Sequence, residues 1–387
     1  MNTTKKNSLF KPMLPRSKEE VHRASTPLEL LFDLVFVVAV AGASANLHHS
    51  IAENHLSSAI FPFLWVFFGI WWAWMNFSWF ASAYDIDDVP YRILVLVQLT
   101  GALVVAAGVS DTFSKGTSWF AITGYTIMRV AQITQWVRAW LGDPPRRQVI
   151  TRYIVGLFLA QIYWWLIMLA PMSLKPYLIG FGILIELSVP FLAEKVNGGT
   201  PWHPKHIIER YSLFTIIVLG ETILSASTAV QSSIDAGYVD GSLVGIIIGG
   251  LLLVFNMWWS YFQQTEHNIT NSHWQGIFWG YGHYFIFVSA AAVGAGLASS
   301  VDFMSGQSMA SLTLTNAVIA IPVICYFLTL ALVHGRLRAY PMSAAVLCIS
   351  TVLIALCIWS QSAVLLIGLI ISASNAFKLW HYRTLSF

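Results

Sequence analysis

"TPLELLFDLVFVVAV", residues 26–40, is apolar at almost every position yet carries two carboxylates, Glu29 and Asp33, one helical turn apart. In lipid each charge is costly. In water nearly every neighbour of the pair is misplaced. Composition decides between the two. The 387 residues are 57% hydrophobic and 10% charged, with a mean hydropathy of +0.66, where a soluble domain is about a quarter charged. The chain therefore reads as an all-α, polytopic integral membrane protein. Runs of roughly 20 apolar residues cross a bilayer as helices, because backbone groups in lipid must be bonded within their own segment. The alternation of a membrane β-barrel is absent from the sequence.

Twelve runs fit that length, at about 28–47, 60–81, 91–109, 119–140, 150–170, 177–193, 211–231, 242–263, 274–298, 312–334, 341–359 and 361–380. Residues 1–25 hold six Lys and Arg and no apolar core, so they read as a polar cytoplasmic tail. With the N-terminus in the cytoplasm, the inner segments hold eighteen Lys and Arg, including Arg138 and Arg210; the outer loops hold Lys115 and Lys175. That asymmetry predicts a protein of the cytoplasmic membrane with both termini inside. The net charge of +3 reflects topology and gives no reason to expect nucleic acid as a partner. Cys325, Cys348 and Cys357 all fall in apolar runs and imply packing, not disulfides.

The main interruption, 194–210, contains Gly, Pro and charges and separates a first membrane half, 26–193, from a second, 211–387. "LF" at 31–32 recurs at 213–214, and at the same offset "MNFSWF" (75–80) lies over "MWWSYF" (257–262). This self-similarity is compatible with two parallel six-helix repeats.

"STPLELLFDLVFVVAV" (25–40) and "ERYSLFTIIVLGETIL" (209–224) together resemble the bacterial low temperature requirement A (LtrA) family. The resemblance covers roughly 22–380, with its specificity in those two motifs. It implies a multi-pass membrane protein and little chemistry, since the family is named for a growth phenotype in the cold. Tyr211 and Ser212 stand where the pattern suggests a His-Gly-like pair, which puts a histidine role there in doubt.

The charged residues within the runs are the candidate site. Thr26-Pro27-Leu28-Glu29 has the form of a capping box with Pro at the first helical position, so Thr26 and Glu29 read as a helix cap or gate. Asp33 lies roughly 9 Å along the axis from Pro27 and shares a face with Glu29. Glu221 falls roughly 15 Å into the seventh run, near the midplane, and Gly220 beside it permits a close approach by another helix. Arg129 is also mid-span. It keeps its proton when buried and so needs a carboxylate or a bound anion. Gln132, Gln135 and Arg138 continue its face toward the cytoplasm. Glu186 and His283 are near mid-span as well. On this count four acids face one buried arginine, an imbalance that points to protonated acids or a held cation. Asp33, Glu221, Arg129, Glu186 and His283 are thus expected to bind a proton, cation or substrate within a shared polar interior.

Other signals have plain explanations. His203, His206 and Glu209 lie in a Pro-containing linker and read as solvated. The aromatic run 61–80 reads mainly as lipid-facing and interfacial side chains. No HExxH zinc motif, P-loop or nucleophile elbow occurs, so no catalytic residue, metal site or cofactor is expected. Twelve spans, a duplication and intramembrane acids favour a secondary transporter or permease, with the lipid bilayer and an unknown small solute or ion as partners. Alternatives are a membrane-embedded enzyme on lipid-like substrates, using Asp85, Asp87 and Asp88, and a non-catalytic sensor or structural protein.

Overall fold

The computed structural model describes residues 10–17, 20, 23–196, 199–263, 273–334 and 341–385. Lys5, Lys6, Lys18, Arg336 and Arg338, counted above as topology signals, lie outside the described residues. Among those described, the regular structure is entirely helical: α1 Pro27–Ala52, α2 Leu56–Tyr84, α3 Val89–Ala107, α4 Val109–Lys115, α5 Trp119–Gly142, α6 Arg147–Met168, α7 Lys175–Ala193, α8 Pro204–Asp235, α9 Gly241–Phe262, α10 His273–Met304, α11 Leu312–Val333, α12 Pro341–Leu356 and α13 Ala363–Leu385. Eleven of these helices are long and apolar enough to cross a membrane. α5 is as long as many of them, but it carries the Arg129–Gln132–Gln135–Arg138 stripe and falls outside that group. The short α4 was not foreseen. The final two runs are two helices, parted by a 3-10 turn, Cys357–Trp359.

The chain forms two compact units. The first comprises 1–39 and 69–211, the second 40–68 and 212–387. Residues 40–68 cluster with 212–387, so α1, α2 and α8 each contribute to both units.

In the first unit α3, α5, α6 and α7 pack in sequence order. Small residues set the α3–α5 crossing. A Cβ on Gly101 would lie 2.6 Å from the Gly124 carbonyl oxygen, and one on Gly124 would lie 2.5 Å from that of Gly101. Lipid supplies no hydrophobic drive between helices, so such close backbone approach is a main source of association. The N-terminal segment is laced onto the end of α2. Arg16 N–H donates to the Ala83 carbonyl at 2.9 Å, Lys11 N–H to Asp88 Oδ2 at 3.0 Å, and the buried Arg23 guanidinium to the carbonyls of Ala81 and Ser82. Arg23 thereby gives the Ser82 carbonyl a donor at the helix end and adds a second donor to the Ala81 carbonyl, which also accepts from Asp85 N–H at 3.1 Å.

In the second unit α10 is the central helix, with 89% of its spanning window buried. Its "SAAAVGAGLASS" stretch, 289–300, explains this, since small side chains admit neighbours on every side. A Cβ on Gly296 would meet the Val318 carbonyl of α11 at 2.7 Å, and one on Gly294 would meet Thr222 Cα of α8 at 3.0 Å. Gly249 and Gly368 bring α9 and α13 together in the same manner.

Candidate functional site

A buried cluster of titratable side chains in the first unit joins three helices. At the start of α1, Thr26 N–H donates to Glu29 Oε2 at 2.8 Å, and Glu29 N–H donates to Thr26 Oγ1 at 3.3 Å. These are the reciprocal bonds of a capping box. Capping uses one carboxylate oxygen. The other, Oε1, lies 3.1 Å from His206 Nε2 of α8, an ion-pair contact without the alignment of a hydrogen bond. One turn further along α1, Asp33 Oδ1 accepts from Arg210 Nη2 at 2.5 Å and from Trp74 Nε1 at 2.6 Å. Arg210 Nη2 also reaches Ser78 Oγ at 3.4 Å. Glu29 and Asp33, His206 and Arg210, and Trp74 and Ser78 are each four residues apart, so each helix presents its pair on one face. The result is a two-rung ladder between α1 and α8, braced by α2. All four titratable side chains are at most 1% exposed.

The ladder is only partly bonded. Among the described residues, Asp33 Oδ2, His206 Nδ1 and Nε2, and Arg210 Nε and Nη1 are buried without a hydrogen-bond partner. Buried polar groups are ordinarily satisfied, and orphans at this density are unusual.

A second pair, Arg129 of α5 and Glu186 of α7, has the opposite character. Arg129 Nη2 donates to Glu186 Oε2 at 2.7 Å and to Tyr125 OH at 2.7 Å, and Nη1 donates to Gln132 Oε1 at 3.2 Å. Trp72 Nε1 donates to Glu186 Oε2 at 2.8 Å and Trp164 Nε1 to Oε1 at 2.9 Å. Both oxygens of Glu186 and both terminal nitrogens of Arg129 are engaged, which suits a lock between helices.

Below the ladder, the loop 85–88 ties its acids one by one. Asp88 caps α3 through Tyr91 N–H at 2.9 Å and binds Arg138 Nη2 at 2.6 Å. Asp87 holds Arg92 Nε at 2.7 Å, which keeps its carboxyl below the usual range. Asp85 accepts from Asp87 N–H at 3.0 Å. Burial, reinforced by the nearby Glu29 charge, pushes Asp85 up to about 6, with Arg23 opposing. Burial likewise lowers Arg23 from its ordinary value. The three loop acids therefore face different partners and do not converge on one point.

The family-model comparison matches residues 24–376 to the bacterial low temperature requirement A protein (LtrA). The match begins two residues before Thr26 and takes in the whole ladder. The chain belongs to the LtrA family. It is also similar to an uncharacterized protein of Rhizobium meliloti (strain 1021), RA0937, with 27% identity over 261 residues, 65% of this chain and 61% of that protein. The matched region thus spans less than two thirds of that relative.

Within this LtrA chain, several expectations need correction. The imbalance of four acids against one buried arginine does not exist. Arg210, counted above as a cytoplasmic topology signal, is fully buried inside α8 and pairs with Asp33. Glu186 holds Arg129, and Glu29 faces His206. Asp33 and Arg129 therefore sit in two separate ion pairs. The linker histidines are not solvated: His206 is on the ladder, and His203 Nδ1 accepts from His206 N–H at 3.3 Å at the start of α8. Glu209 accepts from Ser25 N–H at 3.1 Å. Trp72 and Trp74, read as part of an apolar aromatic run, are carboxylate donors.

Glu221 and His283 belong to the second unit. Glu221 is 8% exposed, and its carboxyl has no hydrogen-bond or ion-pair partner among the described residues. A Cβ on Gly220 would meet nothing within 4 Å, so that glycine serves no close approach. The fully buried His283 places Nδ1 2.7 Å from the Trp279 carbonyl and Nε2 3.2 Å from Tyr261 OH. One signal in the sequence points to Arg210 and His206. Their four-residue spacing, which ends at Arg210 in the second family motif, mirrors that of Glu29 and Asp33 in the first.

Proposed function

We propose that this LtrA-family membrane protein is a secondary transporter or permease whose α1–α8 ladder is its proton- or cation-coupled switching element. The observation that carries the reading is the combination of full burial, opposed charges and unmet hydrogen-bond capacity at Asp33, His206 and Arg210. A purely structural ion pair is held best when its charged ends are bonded, as at Arg129–Glu186, where both carboxylate oxygens and both terminal guanidinium nitrogens have partners. A ladder left half-bonded in one conformation has capacity for a proton, a cation or a solute group in another. Histidine is the side chain whose charge ordinarily changes near neutrality, which suits His206 to the coupling role.

In this reading α5 crosses the membrane as a twelfth span. Two parallel sets of six helices then place both termini in the cytoplasm, as the Lys and Arg asymmetry suggests. Glu221 serves as a second protonatable group in the other unit.

The test uses full-length chain in proteoliposomes on a solid-supported membrane. A low-molecular-mass extract of the native cells, fractionated by charge, is applied and transient currents are recorded. Currents are expected from wild type with at least one fraction, and not from Asp33→Asn or His206→Gln protein that elutes and melts like wild type. Equal currents from the variants, or none from wild type with any fraction, overturn the reading.

A further inference from the structure

The second rung of the ladder is already a cradle for a carboxylate. Arg210 Nη2 of α8 and Trp74 Nε1 of α2 converge on one oxygen, Asp33 Oδ1, at 2.5 and 2.6 Å. The grip is single. Among the described residues, Asp33 Oδ2 and Arg210 Nε and Nη1 have no hydrogen-bond partner. Covalent geometry holds these unused atoms beside the contact, since guanidinium is a rigid planar fork. Nε carries one N–H and Nη1 two, so unused donors on this rung outnumber its one unused oxygen. Arginine ordinarily takes a carboxylate with two parallel bonds; here that capacity is present and unspent.

Charge restricts what can enter. Arg210 keeps its proton when buried and repels a cation. α8 sets Arg210 against Asp33, α2 sets Trp74 against it, and its own helix carries Glu29. Glu29 is held by Thr26 N–H and lies 3.1 Å from His206 Nε2 of α8. A second carboxylate arriving alone would set two anions on one guanidinium. A proton arriving alone on Asp33 would leave Arg210 unpaired. Each strands a buried charge. Arriving together, they leave the charge of the rung unchanged.

We propose that Arg210 and Trp74 form the binding site for the carboxylate of a small monocarboxylic acid, which loads together with one proton on Asp33. This rests on the transport reading and names its solute class and its coupling ion. Asp33 takes the proton at Oδ2, its unbonded oxygen. The neutral side chain releases Arg210 Nη2 and Trp74 Nε1, and the incoming carboxylate accepts from both and from a second N–H of Arg210. Tyr211 meets the Trp74 ring edge-on at 5.0 Å, an aromatic wall that suits an uncharged tail.

The test is calorimetric titration of the full-length chain in neutral detergent with butyrate, butanol and butylamine, across pH 5.5–8 and in buffers of different ionisation enthalpy. Wild type is expected to bind butyrate at least tenfold more tightly than the other two, with one proton taken up per butyrate at pH 8. Asp33→Asn removes the resident anion and the need for a proton. It should bind butyrate at least tenfold more tightly than wild type at pH 8, with no proton uptake. Trp74→Phe keeps every charge and should weaken butyrate severalfold with the proton count unchanged; it decides the matter if the Asp33→Asn protein does not elute and melt like wild type. Butylamine or butanol binding as tightly as butyrate, butyrate binding without proton uptake by wild type at pH 8, no gain in Asp33→Asn, unchanged binding to Trp74→Phe, or no saturable binding to wild type or Asp33→Asn protein overturns the proposal. The two readings fail separately. Proton-linked butyrate binding without transient currents keeps this site and removes transport; currents from wild type without butyrate binding remove this site alone.

Discussion

Asp33 and Arg210 are 177 residues apart in the chain and 2.5 Å apart in space. One turn toward the end of the bundle, Glu29 and His206 repeat the relationship at 3.1 Å. Two motifs at opposite ends of the first unit's sequence are thus one structural object, with carboxylates on α1 and bases on α8 in matching register.

Removing one member of the buried pair should cost more than removing both. Arg210→Met leaves the Asp33 carboxylate with Trp74 as its remaining donor and should destabilise the chain by about 3–5 kcal/mol. Arg210→Met combined with Asp33→Leu should recover most of that loss. Thermal melts in detergent check the difference. A double variant no better than the single one would place the cost somewhere other than the stranded charge.

The same logic separates two other acids. Glu186→Gln removes the charge opposite Arg129 and should cost a comparable amount, about 3–5 kcal/mol. Glu221 has no partner to strand, so Glu221→Gln should leave stability within about 1 kcal/mol of wild type or raise it. Comparing the two melting temperatures in one detergent tests the contrast.

Asp85 gives the pH dependence. Its carboxyl is raised to about 6 in the fold, against about 3.9 in an unfolded chain. The folded state therefore holds the proton more tightly than the unfolded one. Stability from this group is fully present below about pH 4 and is lost as the pH rises through 6. Asp85→Asn keeps an acceptor for Asp87 N–H and never ionises. It should raise stability above pH 6 by on the order of 2 kcal/mol and change nothing near pH 4. Melting curves across pH 4–8 decide it. A gain that is constant with pH would detach it from ionisation.

Two helix-interior glycines should respond in opposite ways. Gly124→Ala drives a methyl to 2.5 Å from the Gly101 carbonyl oxygen and should loosen the α3–α5 crossing by about 1–3 kcal/mol. Gly220→Ala meets open space and should be neutral or stabilising by up to about 1 kcal/mol. Paired melts of the two variants test whether the close approach carries the packing.

The sequence by itself determined the class of molecule, because helix formation in lipid depends on run length and composition, both local quantities. It also determined the cap at Thr26 and Glu29, whose partners are three residues apart. The need of buried Arg129 for an opposite charge was legible too, since guanidinium does not neutralise. Tertiary structure alone decided who partners whom. Arg210 read as an inner-loop cation because it is the last residue of the charged linker, and only the placement of α8 buries it against Asp33. Trp72 and Trp74 read as hydrocarbon, yet each turns an indole N–H to a carboxylate. Pair energies depend on atoms within a few ångströms, and for residues 114 or 177 positions apart that separation is set by helix packing. The apolar pattern specifies which face of a helix is buried; the glycine contacts and hydrogen bonds between helices specify what it is buried against.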